Sequence, residues 1–286
     1  KPIVRPEYIE QAAKLINEAK KPFVIFGQGV ILGEAEKEFK AFIEKGGLPA
    51  AWTILGVSAL PTDHPLNVGM LGMHGNYGPN VLTNDCDVLI AVGMRFDDRV
   101  TGRLDKYAKQ AKIIQLDIDT AEIDKNVLST IPVWGDCKET LPMLTELLDK
   151  KEHPEWLQKF RDLEAEEIKQ VINEELNHET EIMSMGEVIN TLNELTKGEA
   201  IIVSDVGQHQ MVACRYAEFK QSRSNITSGG LGTMGFGLPA AIGAKYGAPD
   251  RTVVAVVGDG GIQMTIQELG TIMQFGVNVK ILILNN

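Results

Sequence analysis

Two apolar runs near the end of the chain lead into residues whose types and spacing can do chemistry. Val253-Val254-Ala255-Val256-Val257 runs into Gly258-Asp259-Gly260-Gly261. At the carboxyl end of a parallel strand, such a turn presents free backbone N–H groups and one carboxylate toward a crevice. That combination suits a diphosphate whose charge is shared with a hard cation held by the carboxylate. A second apolar run, Lys280 to Leu284, ends in Asn285-Asn286, with 24 residues between Gly260 and Asn285. An asparagine oxygen there can be a second ligand of the same cation. Alone, Gly258-Asp259-Gly260 is only a tight turn; the pairing of two strand ends gives it a chemical reading.

Further polar clusters lie upstream. Gly207-Gln208-His209-Gln210-Met211 precedes a glycine-rich run from Ser228 through Gly232-Thr233-Met234-Gly235 to Pro239. Alone, His209 is a histidine at a helix start, and the glycine run is close helix packing. In the first half, Leu71-Gly72-Met73-His74-Gly75 and Gly93-Met94-Arg95-Phe96-Asp97-Asp98-Arg99 stand where strands should end. Read by themselves, the two arginines and two aspartates of the second loop are equally surface ion pairs. Leu116-Asp117-Ile118-Asp119 and Gly135-Asp136 stand at later strand ends. Gly27-Gln28-Gly29, followed by Gly33, misses the dinucleotide fingerprint by one residue and is weak as a nicotinamide signal.

These positions need strands and helices to hold them. Residues 6–20 carry apolar side chains at helical spacing, and Phe23-Val24-Ile25-Phe26 is an unbroken apolar strand of the buried parallel type. Glu34 to Lys45 follows as a helix, with further strands at Ala50 to Leu55, Val88 to Val92 and Ile113 to Ile118. This βαβ rhythm predicts a doubly wound parallel sheet over 1–148. Residues 149–183 are charge-rich with a sparse stripe of Trp156, Phe160, Leu163, Ile168 and Val171, which reads as a solvated connecting helix. A second βα series fills 184–286. Its strands are expected at Ala200 to Val203, Thr252 to Val257 and Val279 to Leu284. Its helices are expected over Met185 to Leu195, Gln208 to Phe219, Gly235 to Tyr246 and Thr265 to Phe275. The fold class is therefore α/β, with two doubly wound domains, the second truncated at its C-terminal end.

Composition narrows the class of function. Of the 286 residues 44% are hydrophobic and 23% charged, which excludes disordered, collagenous and disulfide-scaffold chains. A net charge of -11 leaves no basic footprint for nucleic acid or an anionic membrane. Three cysteines without a CxxC spacing read as reduced thiols in a cytoplasmic protein. The chain opens on Lys1 and stops on a strand end, so it is read as a fragment of a longer protein.

The Gly258-Asp259-Gly260 and Asn285-Asn286 pair resembles the thiamine-diphosphate signature. The Gly207 to Met211 and Ser228 to Pro239 runs are similar to the acetohydroxyacid synthase family, and the Leu71 to Gly75 and Gly93 to Gly102 loops resemble its FAD-binding segments. The resemblance implies that Asp259 and Asn286 bind Mg²⁺, which holds the diphosphate of thiamine diphosphate, beside Gly258, Gly260 and Gly261. It places Gln208, His209 and Gly232 next to that cofactor, with Met234 under its two rings, enforcing a bent conformer. It further implies FAD against Gly27, Gly29, Leu71, Gly72, Met73, His74, Gly93, Arg95 and Asp97. Asp117, Ile118 and Asp136 fall on its adenosine side, and Arg99 lies near the substrate channel.

The chain departs from the family at three places. Val212 replaces a tryptophan, Gln28 interrupts a triple glycine, and Ser58 stands where glycine is usual, which leaves close approach of FAD at Ser58 less secure. The activity implied is decarboxylation of pyruvate and addition of the two-carbon unit to a second small 2-oxoacid. Acetolactate or acetohydroxybutyrate is the product, on the way to branched-chain amino acids, with no net redox role for FAD. The family also implies a homo-oligomer, a dimer or higher, and a small regulatory subunit. The activating glutamate belongs to a domain absent from this chain, so the fragment alone is expected to be inactive. The alternatives are another thiamine-dependent 2-oxoacid decarboxylase or oxidase, or a non-catalytic nucleotide-binding α/β protein.

Overall fold

The computed structural model describes residues 2–177 and 181–285, in two compact units. The first contains residues up to Leu60 and from His64 to Ile168; the second contains Pro61–Asp63 and the chain from Lys169 onward.

The first unit runs α1 (Pro6–Glu18), β1 (Pro22–Phe26), α2 (Gln28–Leu32), α3 (Glu36–Gly46), β2 (Ala50–Trp52), β3 (Asn67–Met70), α4 (Tyr77–Leu82) and β4 (Val88–Val92). It continues with α5 (Asp98–Thr101), β5 (Lys112–Asp117), β6 (Ile131–Trp134), α6 (Cys137–Leu147) and α7 (Pro154–Glu167). All strand pairs are parallel, in the order β3-β2-β1-β4-β5-β6. Both faces of the sheet are covered, as the unbroken apolar strands require. In β1, Phe23 meets Phe160 of α7 on one side, and Phe26 meets Phe39 of α3 on the other.

Helix α7 is the first correction to the sequence reading. It was expected to be a solvated connection, yet Trp156 and Phe160 are buried in the same core as Phe23, Ile25 and Leu89. The Trp156 indole N–H donates to the Pro22 carbonyl at 2.8 Å, so the helix is fastened to the start of β1. Side chains of this size each contribute about 1.5–3 kcal/mol when removed from water. A sparse apolar stripe therefore suffices when its few members are large aromatics.

A π-helical stretch, Ile168–Ile172, leads into the second unit. There follow α8 (Asn173–Leu176), α9 (Met185–Thr196), β7 (Ile201–Ser204), α10 (Gln208–Tyr216), β8 (Asn225–Thr227), α11 (Gly237–Gly247), β9 (Val253–Gly258), α12 (Asp259–Met264), α13 (Glu268–Phe275) and β10 (Lys280–Leu284). The four strands are again parallel, ordered β10-β9-β7-β8. A core of Ile201, Val203, Leu238, Ala241, Val253, Ala255, Val257 and Ile262 joins β7 and β9 to α11 and α12. Helix α9 starts from a complete capping box, in which Ser184 and Glu187 satisfy each other's backbone N–H. The helix expected over Thr265 to Phe275 is in fact preceded by a separate short one, because the Asp259 turn itself winds into α12.

Candidate functional site

In the second unit, the pairing read from sequence is present in the sheet. Strands β9 and β10 lie side by side with Gly258 opposite Leu284, so Asp259 and Asn285 leave adjacent strand ends. Asn286, the expected second metal ligand, lies outside the described residues. Asp259 is exposed at the first position of α12, while Gly261 is buried directly behind it. Among the described residues no group of three or more His, Cys, Asp or Glu side chains gathers to hold a metal. The one carboxylate on the turn is that of Asp259.

A polar and an apolar side chain back this turn. The imidazole of His209 lies in the space beside Gly258 and Gly207; a Cβ at Gly258 would sit 2.8 Å from its Cε1, and one at Gly207 2.7 Å. His209 is 3% exposed, and its Nε2 has no hydrogen-bond partner. Burial holds its pKa below the ordinary histidine value, partly countered by the Asp205 and Asp259 carboxylates. Met234 reaches over the same turn, its Cε 3.7 Å from where a Cβ on Gly260 would stand. Gln208, at the start of α10, and Gly232, on the loop before α11, are exposed beside it. The structure thus brings Gln208, His209, Gly232, Met234, Gly258, Asp259, Gly260 and Gly261 to the carboxyl ends of β7 and β9, where ligands of parallel sheets bind.

Sequence reasoning passed over Asp205, which is completely buried at the end of β7. Its signal was available: an apolar run, Ile201 to Val203, leads into Ser204-Asp205, just as β9 leads into Asp259.

In the first unit, the strand order reverses between β1 and β4, and the glycines gather there. Gly27 N–H donates to Val92 C=O at 3.0 Å and Gly29 N–H to Gly93 C=O at 2.8 Å. The Leu71 to His74 and Gly93 to Gly102 loops are also tied together. Met73 N–H donates to Arg99 C=O at 2.7 Å, and the Arg99 guanidinium donates to the Met73 sulfur at 3.5 Å. Asp97 caps α5 by accepting from the Arg99 and Val100 N–H groups, and Arg95 faces it at 3.6 Å. Leu71 is buried, whereas Met73 and Arg95 face outward. His74 is held below its ordinary pKa by burial and by the Arg99 charge.

At the ends of β5 and β6, Asp117 is buried with its pKa raised, chiefly by that burial, while Ile118 is 55% exposed. Asp136 has a structural task, accepting from Lys138 N–H as the cap of α6. Ser58 has φ +76°, a left-handed backbone conformation that favours glycine. The three cysteines are free and buried, and burial pushes each thiol up to about 12, which disfavours the thiolate.

Comparison with known families agrees with this geometry. The model of the thiamine pyrophosphate enzyme central domain matches residues 9–144, and that of the C-terminal TPP binding domain matches residues 205–286. The chain belongs to the thiamine pyrophosphate enzymes. Among them it is a homologue of acetolactate synthase large subunits. It is 43% identical over 282 residues to the isozyme 3 large subunit of Escherichia coli, covering 97% of this chain and 49% of that protein. The large subunit of Buchnera aphidicola subsp. Schizaphis graminum is 42% identical over 278 residues, covering 97% and 48%. Acetolactate synthase 1, chloroplastic, of Nicotiana tabacum is 44% identical over 280 residues, covering 97% and 42%. The chain spans about half the length of the curated relatives it matches. Among the described residues no helix is long and apolar enough to cross a membrane.

Proposed function

We propose that this chain is the central and diphosphate-binding part of an acetolactate synthase catalytic subunit. In this reading pyruvate is decarboxylated and its two-carbon unit joined to a second 2-oxoacid. The observation that carries it is the Asp259 turn. One exposed carboxylate stands next to the β10 end, three glycines leave the turn bare, and a buried imidazole behind it has an unpartnered nitrogen.

These residues fit a metal-bound diphosphate. Asp259 and Asn286 would hold Mg²⁺, with Gly258, Gly260 and Gly261 giving the phosphates room and His209 Nε2 offering a polar contact. The low pKa of His209 keeps the imidazole neutral, so it can donate or accept without adding a charge. Met234 forms an apolar wall over the turn and Gln208 a polar edge. Bound there, thiamine diphosphate supplies the electron sink for loss of CO₂ from a 2-oxoacid. Arg99, exposed beside Met73, is the positive charge that this reading assigns to a carboxylate substrate.

FAD fits the first unit along the strand ends. The exposed apolar side chains of Met73 and Ile118 and the charged pair Arg95–Asp97 line that edge, with Gly27, Gly29, Leu71, Gly72, His74, Gly93, Asp117 and Asp136 on the same loops. The reading includes a cytoplasmic homo-oligomer, a dimer or higher, with a small regulatory subunit; the large-subunit names of the relatives support that partner. The test is direct. The whole protein, purified, should be yellow and should release acetolactate from pyruvate only with thiamine diphosphate and Mg²⁺. Acetaldehyde or acetate as the main product would assign it to a decarboxylase or oxidase, and a colourless protein without turnover would reject the reading.

A further inference from the structure

Asp205 is a fully buried carboxylate for which the site described above has no use. Its backbone N–H continues the sheet by donating to Val256 C=O at 2.9 Å, which fixes the residue at the end of β7 between β8 and β9. The side chain then bridges segments far apart in sequence. Oδ1 accepts from Val206 N–H at 2.8 Å, and Oδ2 accepts from Gly235 N–H at 3.1 Å. Three nearby positions carry no Cβ where one would strike this residue or its surroundings. A Cβ on Gly261 would run into Oδ2, one on Gly237 would stand 2.9 Å from the Asp205 Cβ, and one on Gly258 would meet the neighbouring His209 ring. Gly235 is the residue after Met234, and Gly261 lies two after Asp259. One carboxylate therefore touches the loop that presents the apolar wall and the turn that presents the metal ligand.

We propose that Asp205 is the positioning residue of this site, clamping the Gly235 loop and setting the depth at which the Asp259–Gly261 turn lies. A neutral aliphatic residue would leave the Gly235 N–H buried without an acceptor, and the Met234 loop would lose its anchor. Asparagine keeps the shape but has one acceptor oxygen for two donors, so it replaces half of the clamp. Asp205 itself need not touch a ligand; it acts through the two turns. The clamp stands on this unit's own contacts, and only its effect on cofactor affinity rests on the function proposed above.

The experiment uses the whole protein with Asp205→Ala, Asp205→Asn and a control, Val203→Ala, that loosens the same strand without touching the clamp. Amide hydrogen exchange without cofactor should quicken by about tenfold or more in residues 228–237 and 258–264 of Asp205→Ala. Asp205→Asn should lie between it and wild type, and the control should not single out these segments. Gly261→Ala should lower the thermal midpoint strongly in the wild-type background and much less beside Asp205→Ala, where the obstructing oxygen is gone. Calorimetric titration with thiamine diphosphate and Mg²⁺ should show Kd rising about tenfold in Asp205→Ala.

Exchange no faster than in the control, or Gly261→Ala equally damaging in both backgrounds, would overturn the clamp. Should Asp205→Ala not fold, the isosteric Asp205→Asn carries the same comparisons. A wild type that binds no thiamine diphosphate would sink the proposed function, while the exchange and double-substitution results would still decide the role of Asp205.

Discussion

Both units place glycines at the ends of parallel strands, but for different reasons. In the first, the glycines where β1 and β4 end come up against each other's main chain. A Cβ on Gly29 would stand 2.6 Å from Gly93 Cα, and one on Gly27 would stand 2.7 Å from Gly93 C=O. They let the ends of β1 and β4 touch. In the second, they meet polar side chains: Gly207 and Gly258 face the His209 ring, and Gly261 faces the Asp205 carboxylate. The same residue type seals a crevice in one unit and makes room for functional groups in the other. A glycine-rich strand end thus says that something approaches closely, and only the neighbour's identity says what.

The largest effect expected is at Asp259. Asp259→Ala should abolish Mg²⁺-dependent thiamine diphosphate binding in the whole protein, because the diphosphate would lose the charge that links it to the turn. Asn286→Ala should be milder, since water can replace a neutral ligand; calorimetry of both variants is the check. Equal severity would mean that the carboxylate is not the dominant ligand.

The contrast between glycines is broken or sharpened by adding a methyl group to each kind. Gly93→Ala collides with the Gly29 backbone and sits at φ +55°, so it should cost about 3 kcal/mol in denaturant unfolding. Gly258→Ala collides only with a side chain and should cost about 1 kcal/mol, a loss that His209→Ala should largely relieve. Were the first substitution relieved as readily as the second, the distinction would fail.

Smaller effects belong to the first unit's loops. Arg95→Ala should lower FAD retention several-fold by removing an exposed charge-assisted contact of about 1 kcal/mol. Flavin content measured after gel filtration tests it. Asp117→Asn should raise the thermal midpoint at pH 7. The folded-state pKa of Asp117 lies above its unfolded value, so its stabilising neutral form is complete below about pH 3.8 and is lost as pH rises through the folded pKa. The gain from asparagine should therefore vanish in acid. A stabilising substitution that also weakens FAD binding would mark Asp117 as a carboxylate retained for its ligand.

The sequence made β9, β10 and the turn between β9 and α12 legible because uninterrupted apolar runs end in polar residues that have no packing task. It left β8 unseen, since Asn225–Thr227 is three half-buried residues with no period to detect. Strands β3 and β6 were missed for a similar reason: Asn67–Met70 contains a glycine and Ile131–Trp134 a proline, and both weaken a strand pattern. Helix α7 was misjudged because Trp156 and Phe160 are few, although each buries a large surface. Asp205 escaped notice because a single aspartate at a strand end looks like a turn residue. Its importance lies in partners 30 and 56 positions away, Gly235 and Gly261.

The burial of Trp156 beside Pro22 has a spectroscopic consequence. All three tryptophans, Trp52, Trp134 and Trp156, belong to the first unit, and the second carries none. Indole emission excited at the red edge therefore follows the melting of one half of the molecule and is blind to the other. An unfolding curve of this chain recorded by fluorescence alone would hold no tryptophan signal from the unit bearing Asp259. A tryptophan introduced at Val212 would give that silent unit its own signal.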